Sequence, residues 1–569
     1  MKRNNEVEIK VHIGKIGPDP LVLHAPKNKK LIDLLRDNNI KLDSPCSGSG
    51  TCGKCRVRFE GSGIRITNAD MRHISKEDLN LGYRLACMCM LTSDAQIVID
   101  DYSEDEIEVL GSVITLRQKA DKNKKYGIGI DIGTTTLAAC LVELPHEDRI
   151  VGVATGVNHQ RSYGTDVISR IKASKEKGPR LQEIIQTDLD NLIIELLEET
   201  GCSMSQITGI AIAGNTTMLH LLRGYDCEGL GVYPYTPFNI DLENLIVRDV
   251  LPDLKEKISS YFYQTKNKDT EEDINHIPVT ILPGFTAFVG ADILSGLYAE
   301  RPWKKKKDFL FLDLGTNGEM AAGCGDRLYV TSTAAGPVFE GNGISFGVPG
   351  IPGAISGAYF KNGKLKLSTI GDKPPIGICG TGVLEIVSAL IREGIIDRTG
   401  LLKKEYFETG YPICKAEDGS DIVITQNDIR QVQMAKAAVN VGLDMIYEKL
   451  RLKASEAGSY KPVDLNKRIN SAADSKPYVI ISGGFGAKIS FDRIKELKMF
   501  PEDIIDSGDN VYVAGNTSLK GCAKYLCVEE LYGTKIARDT LSIILKNAKE
   551  IELSQDDAFS DKYYEAMNF

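Results

Sequence analysis

Apolar and polar residues alternate at the start of the chain. Val7, Ile9, Val11 and Ile13 fall on one face of an extended segment, and Leu21 to His24 repeats the pattern. Lys30 to Asn38 changes period, setting Leu31, Leu34 and Leu35 on one face of a helix. Val57 and Phe59 mark another alternating strand, and Gln96 to Asp100 supplies a closing one. This predicts a small sheet crossed by a helix over residues 1–105. Glu104 to Lys125 is charged and has little long-range pattern, so 106–125 reads as a linker.

Beyond the linker the strands are continuously apolar, as strands buried on both faces are. Tyr126 to Ile132 and Phe309 to Leu314 each end in an aspartate, an apolar residue and a Gly-Thr turn: Asp131-Ile132-Gly133-Thr134-Thr135 and Asp313-Leu314-Gly315-Thr316-Asn317. Both continue into Ala-Ala and a cysteine, Cys140 and Cys324. Two further turns form a second pair, Gly214-Asn215-Thr216 after Ile210 to Ile212 and Gly515-Asn516-Thr517 after Val511 to Val513. A strand and turn order used twice predicts two α/β halves of like fold facing a cleft, divided as 126–206 and 207–569. Asn267 to Asn275 and Lys453 to Ser475 are polar and read as surface loops. The tail from Leu531 to Phe569 shows no motif.

Size and charge narrow the class. A chain of 569 residues exceeds what one hydrophobic core organises. A net charge of −9, without long blocks, gives no electrostatic case for nucleic acid or anionic membrane. The one basic run, Lys304 to Lys307, reads as the solvated face of a connection. No apolar run approaches the ~18 residues of a spanning helix, and the N-terminus has no apolar signal core, so a cytoplasmic protein is expected. Of 13 cysteines, five lie between Cys46 and Cys89, which favours metal ligation over a disulfide framework.

Cys46, Cys52 and Cys55 are spaced C-x5-C-x2-C on a glycine-rich loop, with Cys87 following later. Zinc would accept Cys52 and Cys55 equally well. Gly48, Gly50 and Gly53, however, let backbone N–H groups approach bridging sulfides, which suits a [2Fe–2S] cluster. Cys89 competes with Cys87 as fourth ligand, and Cys87 is preferred because it closes Arg84-Leu85-Ala86-Cys87. That segment resembles the corresponding one of [2Fe–2S] ferredoxins, with a first spacing of the adrenodoxin type, and the domain resembles a β-grasp ferredoxin. Gly48 to Lys54 imitates a Walker A loop but ends in Cys55, where a hydroxyl must reach magnesium.

The facing turns favour a nucleotide. Gly133, Thr134 and Thr135 on one side and Gly315, Thr316 and Asn317 on the other present N–H groups and hydroxyls to a polyphosphate, with Asn215 and Thr216 beside them. Asp131 and Asp313 would hold Mg²⁺ or its waters. Gly483, Gly484 and Gly486, after the strand Tyr478 to Ile481, would let the backbone lie against adenine or ribose. The order of these three motifs resembles the ASKHA superfamily of acetate and sugar kinases, Hsp70 and actin, whose halves are RNase H-like. With the ferredoxin-like domain in front, the whole chain resembles the reductive activators of corrinoid proteins. Tyr163 to Asp166, Gly290 to Asp292, Gly336 to Asn342 and Ile378 to Gly382 are also family-like.

The resemblance implies ATP-dependent return of a corrinoid protein, a methyl carrier, from inactive Co(II) to Co(I), with the electron passing through the [2Fe–2S] cluster. A plant-type cluster near roughly −400 mV is too mild for most such corrinoids unaided, which gives ATP a role. It also implies a reduced donor such as a ferredoxin or flavoprotein, and a homodimer. Asp292 has two readings, a group orienting water for ATP hydrolysis by analogy with the base of sugar kinases, or a helix N-cap without chemistry. Glu319 and Glu340 are read as supporting groups. Three other functions stand beside this one: an activator of a 2-hydroxyacyl-CoA dehydratase, a small-molecule kinase with a redox domain, and a non-enzymatic electron carrier.

Overall fold

The computed structural model describes residues 6–13, 20–38, 40, 42, 55–60, 65–99, 119–147, 149–264, 274–305, 307–416, 419–456, 476–483, 489–505 and 510–569. Cys46, Cys52, Gly484 and Gly486, most of the 106–125 linker and most of both expected surface loops lie outside them.

The N-terminal alternation becomes strands β1 (Glu6–Ile13) and β2 (Leu21–Pro26), followed by a helix at Leu31–Asp37, β3 (Arg56–Glu60), β4 (Tyr83–Leu85) and β5 (Ala95–Ile99). They form one sheet in the order β2-β1-β5-β3-β4, with β1 and β5 parallel and the other pairs antiparallel. Val7, Ile9, Val11, Leu31, Leu34 and Leu35 are buried together, so the alternating face of β1 packs on the apolar stripe of the helix. This is the β-grasp arrangement.

The first α/β half contains β6 (Tyr126–Ile132), β7 (Thr136–Glu143), β8 (Ile150–Val157), β9 (Ile207–Gly214), β10 (Glu243–Ile246) and β11 (Pro278–Ile281), in the sheet order β10-β11-β9-β6-β7-β8. The second half opens with β12 (Phe309–Leu314), β13 (Gly318–Cys324) and β14 (Arg327–Thr333). A small sheet of β15 (Ala354–Lys361), β16 (Lys364–Thr369) and β17 (Gly377–Ile378) and a hairpin of β18 (Tyr411–Lys415) and β19 (Asp421–Ile424) interrupt it. It resumes with β20 (Tyr478–Ser482), β21 (Val511–Gly515) and β22 (Ala548–Glu550), in the order β21-β20-β12-β13-β14-β22.

The two sheets share a topology. Over five strands the first of each (β6, β12) is antiparallel to the second (β7, β13) and parallel to the fourth (β9, β20), and the fourth is parallel to its outer neighbour (β11, β21), with β10 and β22 added at opposite edges. Two sequence-based expectations change here. The boundary at 206/207 separates β9 from β6, its hydrogen-bonded neighbour from Tyr126 to Ile132, so the first half continues through β11. The turns at Asn215 and Asn516 are not equivalent: Asn215 follows the fourth strand of its half and Asn516 the fifth. Matching residues preceded by matching apolar strands concealed a one-strand offset.

The tail without a motif is structured as well. Helix Thr534–Asn547 leads to β22, which adds a parallel edge to β14. Helix Ala558–Ala566 follows, and Lys436 and Gln433 then donate hydrogen bonds to the carbonyls of Asn568 and Met567. Among the described residues no helix is long and apolar enough to cross a membrane.

Candidate nucleotide cleft and cluster site

In the cluster domain, Cys55 and Cys87 are both buried, and the Ala86 N–H donates to the Cys55 carbonyl (2.8 Å), which brings the two cysteine segments together. The Arg84-Leu85-Ala86-Cys87 segment is braced from two sides. Arg84 donates to the carbonyls of Leu79 (2.9 Å) and Tyr83 (2.6 Å), while the buried Asp70 accepts from the Leu85 N–H (2.8 Å) and from Thr67. Sequence reasoning missed Asp70, which lies in a short helix without periodicity. Cys89 is buried too. Its carbonyl accepts from the N–H of Leu31 at the start of the helix, and burial raises its thiol to about 12, with the charges of Asp70 and Cys55 adding to the effect.

In the nucleotide region, a cavity of ≈ 560 Å³ brings the expected phosphate residues together. Gly133, Thr134 and Thr135 line it from the first half, and Gly315, Thr316 and Asn317 from the second. Asn215, Asp131, Asp292, Asp313 and Gly483 also line it, whereas Thr216 is buried behind it, its hydroxyl donating to the Thr286 carbonyl (2.7 Å). Asn215 bridges two elements, its amide donating to the Thr134 hydroxyl (2.9 Å) and its Oδ1 accepting from the Met218 N–H.

The aspartates end their strands differently. Asp131 accepts from the Asn516 amide (2.8 Å) and the Ser518 hydroxyl (2.7 Å), both at the start of helix Thr517–Tyr532 in the other half. Burial raises its pKa and these two donors oppose the rise. Asp313 accepts from the Ser482 hydroxyl (2.8 Å) and stands directly across the strand pair from Glu319. Its carboxyl is raised to about 6, chiefly by burial, opposed by Ser482 and reinforced by Asp131 and Glu340. Asp292 and Glu319 are both raised, first by burial and then by neighbouring carboxylates, Asp313 foremost for Asp292 and Asp292 foremost for Glu319.

The N-cap reading of Asp292 does not hold. Gly290 takes the cap position of helix Ala291–Glu300, and Asp292 sits in its first turn with its side chain at the cavity. A Cβ at Gly290 would stand 2.6 Å from the Asn215 Cα and 2.7 Å from the Thr216 N, so glycine lets this turn approach the other strand end. Gly483 has φ +90°, and a Cβ there would meet Asp313 Oδ1 at 2.7 Å.

Other family-like segments have structural work. In Tyr163 to Asp166, Asp166 accepts from the N–H (2.8 Å) and hydroxyl (2.8 Å) of Ser169 at the start of helix Val167–Thr200, and Gly164 accepts from the buried Arg170. In the Lys304 to Lys307 run, the Lys305 ammonium lies 3.3 Å from the centre of the Tyr478 ring rather than only in solvent. Met218 is core. Asn516 and Ser518 line the cavity, and sequence reasoning had placed neither at an aspartate.

The residues fit a magnesium nucleotide. Thr316 lines the cavity, and its hydroxyl is buried with no hydrogen-bond partner among the described residues, so a small local shift would free it as a donor to a phosphate oxygen. Among the described residues no three His, Cys, Asp or Glu side chains are grouped to hold a metal directly. Asp131 and Asp313 are the residues that would hold Mg²⁺ or its waters.

Family models match in three stretches: "2Fe-2S iron-sulfur cluster binding domain" over 15–92, "RACo middle region" over 126–265, and "C-terminal domain of RACo the ASKHA domain" over 307–460 and 465–569. The chain is 31% identical over 494 residues to the corrinoid activation enzyme RamQ of Eubacterium limosum, covering 82% of this chain and 74% of that one. It is 23% identical over 440 residues to a [Co(II) methylated amine-specific corrinoid protein] reductase of Methanosarcina barkeri, covering 71% and 76%. A solved structure described as a reductive activator for corrinoid, iron-sulfur protein superposes with a TM-score of 0.62 at 26% identity, over 99% of this chain and 98% of that one. With a ferredoxin-like β-grasp domain ahead of two like-folded ASKHA halves, this chain belongs to the reductive activators of corrinoid proteins.

Proposed function

We propose that the protein returns an inactive Co(II) corrinoid protein to Co(I), and that it needs Mg²⁺-ATP in the cleft between the two halves to do so. Bound by Cys46, Cys52, Cys55 and Cys87, a [2Fe–2S] cluster supplies one-electron chemistry, matching the single electron that separates Co(II) from Co(I). The donor is a reduced ferredoxin or flavoprotein, the acceptor a corrinoid methyl carrier, and the working assembly a homodimer.

One observation carries the nucleotide part. Two Gly-Thr turns from separate halves line one cavity together with Asp131, Asp292 and Asp313. Thr134, Thr135 and Thr316 would hold phosphate oxygens, and Asp131 and Asp313 would orient the waters of Mg²⁺. Asp292 would hold the attacking water. Gly483, with Gly484 and Gly486 after it, would admit the adenosine. Because the ligands come from both halves, occupancy changes the angle between them, and that motion biases the partner toward a more easily reduced state.

The test mixes the anaerobically reduced protein, Mg²⁺-ATP and a Co(II) corrinoid protein, and follows the cobalt spectrum. Co(I) is expected only when ATP is present. Equal Co(I) formation without ATP, or none with any corrinoid protein, refutes the proposal. Separately, Cys87→Ser should abolish the cluster's visible spectrum and leave nucleotide affinity unchanged; an unaltered spectrum transfers the ligand role to Cys89.

A further inference from the structure

Glu340 closes the short turn Pro337–Glu340 in the second half, yet its carboxylate reaches the first. The Thr135 hydroxyl donates to Glu340 Oε2 at 2.5 Å, and Glu340 Oε1 lies 3.6 Å from where a Cβ on Gly315 would stand. One carboxylate thus spans the gap between the two Gly-Thr turns, and both Thr135 and Glu340 line the cavity. A carboxylate and a phosphoryl group present the same thing to a hydroxyl or an N–H donor, an anionic oxygen acceptor.

We propose that Glu340 is a built-in stand-in for a nucleotide phosphate: its carboxylate takes the Thr135 hydroxyl beside Gly315, and a bound polyphosphate must displace it from that bond. The inference rests on the nucleotide reading above and adds how occupancy is sensed. Two anions cannot share the gap, so the incoming phosphate takes the Thr135 hydroxyl and Glu340 withdraws. Its turn moves with it, between the Phe339 and Val338 side chains in the core and Gly341 at φ +76° on the other side. The Asn516 and Ser518 bonds to Asp131 also tie the halves, but their donors are neutral and suit an aspartate whether or not a nucleotide is bound. Glu340 is the tie that a phosphate competes with directly.

This makes Glu340 a positioning residue that lowers apparent affinity by holding the Thr135 hydroxyl in a competing bond. Glu340→Gln keeps the shape and removes the charge. Calorimetry on the full-length variant should give a Kd for Mg²⁺-ADP and for a non-hydrolysable ATP analogue at least about tenfold lower than wild type, the size expected for releasing one charged hydrogen bond. Adenosine, which has no phosphate, should bind both proteins equally. Glu340→Ala should repeat the gain. An unchanged or raised Kd for the phosphorylated ligands overturns the inference, a raised value making Glu340 a holder of Mg²⁺ or phosphate-bound water. An equal gain for adenosine overturns it too, since the effect would then lie outside the phosphate gap. If the wild type binds no nucleotide, the cleft reading itself fails and this inference with it, an outcome distinct from nucleotide binding that ignores Glu340.

Discussion

Asp131 and Asp313 stand at the same place in two sheets with the same five-strand core, near the end of the first strand, but their surroundings differ. Asp131 faces Ala138 across its strand pair, and two neutral donors, Asn516 and Ser518, hold its carboxylate. Asp313 faces Glu319 across its own pair, with the charges of Asp131 and Glu340 also bearing on it, and Ser482 as a hydroxyl donor. The helices that follow β11 and β21 make the same contrast. The one after β21 brings Ser518 to Asp131, whereas the one after β11 brings Asp292 toward Asp313. A duplicated scaffold thus builds one acid held by donors and one acid opposed by acids. Like charges directly opposite in a sheet destabilise it, and burial raises the pKa of Asp313, Glu319 and Asp292 together; in the function proposed above, the Mg²⁺ of the bound nucleotide would offset them.

The contrast can be broken at its strongest point first. Asp313→Asn removes the centre of the acidic corner and should lower ATP-dependent Co(I) formation on the order of 10²–10³-fold, the usual effect of losing one preorganised electrostatic group. A rate within a factor of two of wild type would make the acidic corner incidental. Ser518→Ala takes one donor from Asp131 and should cost about tenfold in the same assay, while lowering the melting temperature of the nucleotide-free protein. Glu319→Gln should act on stability with the opposite sign. Easing one like-charge contact should raise the nucleotide-free melting temperature by about 1 °C per kcal/mol recovered in a chain of this length, and reduce the further rise on adding Mg²⁺-ADP. If both substitutions shift the melting temperature in the same direction, the two corners do not differ as described.

Much of this was legible in the sequence because it was written in period and in turn chemistry. The alternation at Val7, Ile9 and Val11 gave β1, and the repeated aspartate and Gly-Thr turns gave two first strands whose ends meet at one cavity. What was not legible depended on pairing. No local pattern says that Glu319 lies across from Asp313 rather than one residue along, because register is set by the whole strand pair. Asn516 resembled Asn215 in its neighbours, and only the strand order shows that it follows a fifth strand and reaches across to Asp131. The three-residue strand β22 is too short for any periodicity, and Asp70 acts through the backbone of Leu85, a contact fifteen positions away. Glu340 looked like a supporting group because nothing near it in sequence announces Thr135 as its partner.

The most direct test of the account compares wild type and Asp313→Asn in one anaerobic experiment, each loaded with its cluster, reduced to the same extent, and mixed with a Co(II) corrinoid protein and Mg²⁺-ATP. Both proteins should accept and hold the electron equally, and the Co(I) spectrum should develop only with the wild type. Co(I) forming at the wild-type rate in the Asp313→Asn protein would contradict it.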